Sequence, residues 1–228
     1  MNDITGNVRR LLSDLPDNVD LVAVAKTRSV DEVAEAIAAG VKIVGQNYLQ
    51  EALPVIAALR ERYGEQSSAT VSWHFIGHLQ SNKIGQVINN FQLIETVDSV
   101  SHASRLQGLL KEADLFIPVL LEINSGREQS KQGLLPEAVP SFLEEISKFD
   151  RVQVRGLMTM GPWGVEQDIL RQAFRDTTTL FRELDRAALP GVKMKTLSMG
   201  MSASWQLAVE EGANMVRIGA DLFGPRSV

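Results

Sequence analysis

Residues 21–47 read LVAVAKTRSVDEVAEAIAAGVKIVGQN, and this stretch decides the fold. It opens on a short valine-rich run, Leu21–Lys26, whose alternation puts Val22, Val24 and Lys26 on one face of a strand. A helical stretch follows from Val30 to Ala39. Ser29 is placed to cap it, Glu32 stands at capping-box spacing, and Gly40 ends it. A second β-branched run, Lys42–Asn47, begins almost at once. Two extended runs joined through a helix are the pattern of a parallel βαβ unit.

The same unit recurs along the chain. A helix from Leu49 to about Tyr63 leads to the run Val71–Gly77, and one from about Asn82 to Asn89 leads to Phe91–Val97. Val100–Glu112 is helical, Leu115–Asn124 is extended, and a long loop precedes a helix from Pro136 to Lys148, the proline being suited to a first turn. The run Val152–Met160 is followed by a long helix from about Glu166 to Ala187. Lys193–Gly200 is followed by Ser204–Glu211, which Gly212 ends, and Asn214–Ala220 is the last run. A further helix, about Asp3–Ser13, precedes the first unit. Eight strand–helix units in 228 residues are the count that closes a (β/α)8 barrel, for which about 250 residues is typical. The expected class is therefore α/β, a single TIM barrel with an extra N-terminal helix. The alternative is an open doubly wound sheet. That fold calls for a G-x-G-x-x-G turn after the first strand, where this chain has Lys26-Thr27-Arg28. No low-complexity or Pro/Gly/Ser-rich linker divides the chain, so residues 1–228 read as one domain.

Composition narrows the function. There is no cysteine, which removes disulfide scaffolds, cysteine zinc sites, iron–sulfur clusters and thiol nucleophiles. With 23 basic and 28 acidic residues the net charge is −5, which argues against broad nucleic-acid binding. Three histidines, His74, His78 and His102, without cysteine make a metal site improbable. The N-terminus carries charges where a signal peptide needs an apolar stretch. The longest apolar run, near Leu115–Leu121, contains Pro118 and is too short to span a bilayer. A cytoplasmic protein with no membrane association is the expectation.

Barrel sites lie at the carboxyl ends of the strands, so the residues ending each run carry the chemistry. Lys26 has two readings. In one, its amine stands over the barrel mouth among aliphatic walls, where desolvation frees it to attack carbonyls. In the other it is a solvated lysine just past a strand end. Ser198-Met199-Gly200-Met201-Ser202 leads directly into a helix, and its free N–H groups and hydroxyls make an anion cradle. Arg217-Ile218-Gly219-Ala220 supplies the neighbouring loop. N-capping by Ser202 or Ser204 is the plainer reading of the serines. Arg217, on the face of Met215 and Gly219, needs a partner, either a carboxylate or a ligand. His74 points opposite to Trp73 and Phe75, and the plainer reading is a hydrogen-bonded core histidine.

These stretches together resemble the pyridoxal 5′-phosphate (PLP) homeostasis proteins, single-domain relatives of the bacterial alanine racemase barrel. The resemblance rests on VAVAKT (Val22–Thr27), GQNYLQE (Gly45–Glu51), WHFIGHLQSNK (Trp73–Lys83), SKQG (Ser130–Gly133), RGLMTM (Arg155–Met160), LSMGMS (Leu197–Ser202) and VRIGADLFG (Val216–Gly224), in family order across nearly the whole chain. It implies that Lys26 carries PLP as a Schiff base. It implies that Ser198, Gly200, Met201 and Ser202, with Gly219 and Ala220, surround the phosphate, and that Arg217 faces the pyridine nitrogen. Asn47, His74 and Met158, on the ends of their runs, complete the expected cofactor-binding set. A cationic neighbour disfavours protonating that nitrogen, which makes the ring a poorer electron sink. The racemases add a tyrosine base from a C-terminal β-domain, whereas this sequence runs to Val228 with only Tyr48 and Tyr63.

The expected function is accordingly binding, buffering or delivery of PLP, with PLP-dependent apo-enzymes as recipients and the protein a monomer. The alternatives are a PLP-dependent racemase or decarboxylase of low activity, or a PLP-free phosphate-binding barrel. The sequence departs from the family's usual pattern at Gln46, where glutamate is usual, at Ser204, where an aspartate follows the serine motif, and at Ala220, where a hydroxyl residue is often found.

Overall fold

The capping box inferred from Ser29 and Glu32 is formed. The serine hydroxyl accepts from the Glu32 N–H at 3.2 Å, and the Glu32 carboxylate accepts from the Ser29 N–H at 2.8 Å. A computed structural model describes residues 3–68 and 71–225. The helices are α1 Ile4–Asp14, α2 Val30–Ala38, α3 Leu49–Ser68, α4 Ile84–Ile88, α5 Val100–Glu112, α6 Val139–Ile146, α7 Gln167–Ala187, α8 Trp205–Glu210 and α9 Ala220–Phe223. The strands are β1 Asp20–Val24, β2 Ile43–Gln46, β3 Ser72–Phe75, β4 Leu93–Val97, β5 Ile117–Glu122, β6 Val152–Thr159, β7 Val192–Met199 and β8 Met215–Ile218.

The eight strands form a closed barrel in chain order, all parallel. Closure comes from β1 against β8, with Val22 beside Arg217 and Asp20 beside Met215. An open doubly wound sheet would leave two edges, so this pairing removes the alternative. Leu21, Ala23 and Ala25 turn outward into the apolar layer under the helices, together with Val44, Trp73, Phe75, Val216 and Ile218. The opposite faces line the barrel interior, where Leu93, Leu120 and Met158 form a small apolar cluster of their own. The barrel also holds the buried polar side chains of His74, Glu95, Glu122, Ser198 and Arg217.

Two departures from the sequence reading have local causes. Ala220 does not end the last strand. It starts the short helix α9, to which α1 is tied by the Asn7 amide donating to the Leu222 carbonyl at 3.2 Å. Helix α3 extends beyond Tyr63 across a break at Gly64, whose φ of 74° and ψ of 162° are not helical. The register of β5, β6 and β7 shifts along their pairings. At the centre of this irregularity Gly156 has φ 154°, and a Cβ there would overlap the Thr196 carbonyl. Among the described residues no helix is long and apolar enough to cross a membrane.

Candidate functional site at the carboxyl end of the barrel

Strand β1 ends in a turn that aims Lys26 across the mouth. Thr27 has φ 64°, a left-handed conformation that a β-branched residue seldom adopts. The turn is held by the Thr27 N–H donating to the Glu51 carboxylate at 2.8 Å and the Arg28 N–H donating to the Ala25 carbonyl at 3.1 Å. Such strain, on the order of 1–3 kcal/mol, persists where the surroundings over-determine it. The Lys26 Nζ lies 3.4 Å from the Tyr48 hydroxyl and 4.8 Å from the centre of its ring. The amine therefore meets a tyrosine, not the aliphatic wall expected from the valine-rich run.

Lys26 stands at the rim of a cavity of about 410 Å³ whose wall also includes Asn47, Glu122, Lys131, Met158 and Arg217. A smaller space of about 70 Å³ is lined by Val24, Lys26, Arg28, Gly219, Ala220 and Gly224. The two spaces share Val24 and Lys26. Lys131 is a second amine in the wall, but it is tied to the Glu128 carboxylate at 2.6 Å and donates to the Gly161 carbonyl at 3.2 Å. Lys26 has no carboxylate partner among the described residues.

Beneath the cavity runs a connected polar network. The Glu95 carboxylate, on β4, meets His74 Nδ1 at 2.9 Å and accepts from the Ser198 hydroxyl at 2.7 Å. Arg217 donates to Ser198 Oγ at 2.6 Å and to the Thr159 carbonyl at 2.9 Å, and stands 4.0 Å from Glu95. All of these side chains are buried. Burial pushes the Glu95 carboxyl up, but the His74 hydrogen bond, the charges of His74 and Arg217 and the Ser198 hydroxyl more than offset it, leaving Glu95 below the usual carboxylate range. Burial pulls the Arg217 guanidinium down, against the opposing pull of Glu95 and Glu122. Glu122 has the opposite balance. Burial first, then the Asp98 charge, push its carboxyl from 4.5 to about 7, and Arg217 only partly compensates.

The site residues inferred from sequence therefore divide into three groups. Lys26, Asn47, Met158, Met201 and Arg217 line the larger cavity, and Gly219 and Ala220 line the smaller one. Asn47 presents a buried carbonyl oxygen without a partner among the described residues. His74 and Ser198 lie one layer deeper, where they hold Glu95 and Arg217 and do not line either cavity. Gly200, with φ 88°, passes close to α8, where a Cβ would stand 2.7 Å from that of Ala208. Its carbonyl accepts the Arg217 N–H at 3.0 Å. Ser202 Oγ accepts the Asp221 N–H at 3.3 Å, and Ser204 Oγ accepts the Met201 N–H at 3.1 Å. Both hydroxyls thus brace the loops. The sequence reading passed over Arg28, Glu95, Glu122, Lys131 and Thr159. Alternation within Phe91–Val97 carries a signal for Glu95, the one charged residue of that run.

A closed (β/α)8 barrel with an amine at the rim of its mouth and a buried guanidinium in the wall defines a small-molecule site of the kind that takes anionic ligands. The family model described as "Alanine racemase, N-terminal domain" matches residues 1–227. A Synechocystis protein named pyridoxal phosphate homeostasis protein is 33% identical, covering 95% of each chain. A mouse protein of the same name is 37% identical over 96% of this chain and 82% of its own. The solved structure of PipY from Synechococcus elongatus, with PLP bound, is 34% identical with a TM-score of 0.88, covering 97% of this chain and all of that one. The chain belongs to the alanine racemase N-terminal domain family, among its pyridoxal phosphate homeostasis proteins.

Proposed function

We propose that this protein binds PLP at the mouth of its barrel and serves cytoplasmic PLP homeostasis, as a monomer that holds the cofactor and yields it to PLP-dependent apo-enzymes. The observation that carries the reading is the convergence of Lys26, Arg217 and the Arg28–Gly219–Ala220 space on one opening. The residues fit the cofactor. About 410 Å³ is the size of a small-molecule site. The buried Asn47 oxygen offers an unused acceptor, and the smaller space is lined by three small residues, Gly219, Ala220 and Gly224, that allow the close backbone approach a phosphate needs.

When bound, PLP supplies an aldehyde that condenses reversibly with primary amines and an electron-withdrawing ring. Lys26 would hold it covalently, since Lys131 is occupied by Glu128 and Gly161. Gly219 and Ala220 would receive the phosphate, beside an Arg28 that is paired with Glu32 at 3.1 Å and donates to the Gly224 carbonyl at 2.6 Å. Arg217 would face the ring nitrogen, as the family resemblance implies. A guanidinium is a permanent donor and a fixed cation, so it keeps a neighbouring basic nitrogen free of a proton. Ser198 and the Thr159 carbonyl occupy two of its amino groups and fix its plane. An arginine held in this way favours retention of the cofactor over carbanion chemistry.

Borohydride reduction of the PLP-loaded protein followed by peptide mapping tests the reading. A stable mass addition is expected at Lys26. An addition confined to Lys131, or none at all, overturns it. Lys26→Ala is expected to lose the visible absorbance of the bound aldehyde while keeping weaker, non-covalent binding in equilibrium titration.

A further inference from the structure

Glu122 is a buried acid in the cavity wall to which this reading gives no role. It ends β5, is almost fully buried, and its side chain forms part of the cavity wall. Unlike Glu95, its carboxyl has no hydrogen-bond donor among the described residues.

The charged and titratable groups around it come from every side of the mouth. Strand β8 supplies Arg217, already engaged by Ser198, Thr159 and Glu95. The turn after β1 supplies Lys26, and the segment after β3 supplies His78. Asp98 follows β4, accepts the Gly133 N–H at 3.3 Å and faces His102 at 3.6 Å. Lys131 follows β5 and is neutralised by Glu128. The neighbouring lining residues Asn47, Met158 and Met160 carry no charge. A ligand entering this cavity displaces water from a carboxyl that has no donor of its own. If that ligand is an anion, a carboxylate there repels it across a poorly solvated space, while a neutral acid does not and can donate a proton to one of its oxygens.

We propose that Glu122 sets the affinity of the cavity for its anionic cofactor, admitting it as a neutral acid and weakening its hold as a carboxylate, so that retention falls as pH rises. This rests on the PLP reading above. The carboxyl's midpoint near 7 puts the change in the neutral range. A bound anion raises that midpoint further, so protonation and binding favour each other.

The test is an equilibrium titration of PLP into the full chain and into Glu122→Gln at about pH 6 and about pH 8.5. A one-unit rise of the Glu122 midpoint on binding corresponds to a tenfold effect. Between the two conditions the wild type is expected to lose about tenfold more affinity than Glu122→Gln. Contributions from the cofactor's own phosphate and from Lys26 are common to both chains and cancel. Parallel pH profiles with binding intact overturn this proposal and leave the PLP reading standing. Absence of PLP binding in both chains at both pH values overturns the reading itself, and this proposal with it. Should Glu122→Gln fail to fold, NMR of isotope-labelled glutamate in the wild type decides. A Glu122 midpoint near neutrality that rises on adding PLP supports the proposal, and one in the ordinary carboxylate range, or one that PLP does not move, overturns it.

Discussion

Glu95 and Glu122 are two carboxyls buried in one barrel, on adjacent strands β4 and β5, and they behave oppositely. Glu95 has a donor for each oxygen, His74 on one side and Ser198 on the other, with Arg217 at 4.0 Å. Glu122 has the cavity. The same desolvation acts on both. Partners reverse it at Glu95 and fail to reverse it at Glu122. A buried charge is therefore structural or ligand-responsive according to whether the fold completes its hydrogen bonds.

The largest expected break in this contrast is Glu95→Ala. It leaves Arg217 and His74 buried without their carboxylate, and denaturant unfolding near neutral pH is expected to show a loss of about 3–5 kcal/mol. A loss well under 1 kcal/mol would mean that the network does not hold the barrel interior together. Glu122→Gln is expected to act with the other sign. The native carboxyl keeps a proton that the unfolded chain releases from about pH 4.5 upward. Wild-type stability therefore falls as pH rises across the window from 4.5 to about 7. Replacing the acid removes that loss, so the variant is expected to be more stable than wild type above pH 7, by at most about 3 kcal/mol. The difference fades toward pH 4.5, which unfolding curves at several pH values will show. A pH-independent difference between the two chains would erase the contrast. Ser198→Ala is the mildest change. It removes a hydroxyl that gives to Glu95 and takes from Arg217, yet leaves the ion pair in place. Thermal or denaturant melts are expected to show a loss of about 1–2 kcal/mol.

Much of this arrangement was legible in residue order. Alternation placed Lys26 and Arg217 on inward registers, and the capping box at Ser29 forms as the spacing requires. Strand ends were legible to within a residue or two, but reading each run by its end passed over Glu95 in the middle of β4. His74 was read as pointing opposite to Trp73 and Phe75, and Ser198 as part of the anion cradle, but depth along the barrel axis does not show in a linear pattern. Both lie below the cavity, where they brace Glu95 and Arg217, and the plainer reading of His74 as a hydrogen-bonded core residue describes it best. The serines after β7 likewise proved to be loop braces, because Met201 and Asp221 N–H groups stand within reach of their hydroxyls.

Local chemistry along the chain was enough to specify the eight strand–helix units, the parallel direction of the strands and the presence of an amine and a guanidinium at their ends, since each depends on periodicity and turn residues within a few tens of positions. Closure of β1 on β8, the meeting of Glu95 with Ser198 across 103 positions, and the isolation of Glu122 against open space arise only in the folded barrel. Those features depend on which side chains from distant strands share a layer. That is also why the carboxyls of two glutamates of identical chemistry are shifted in opposite directions.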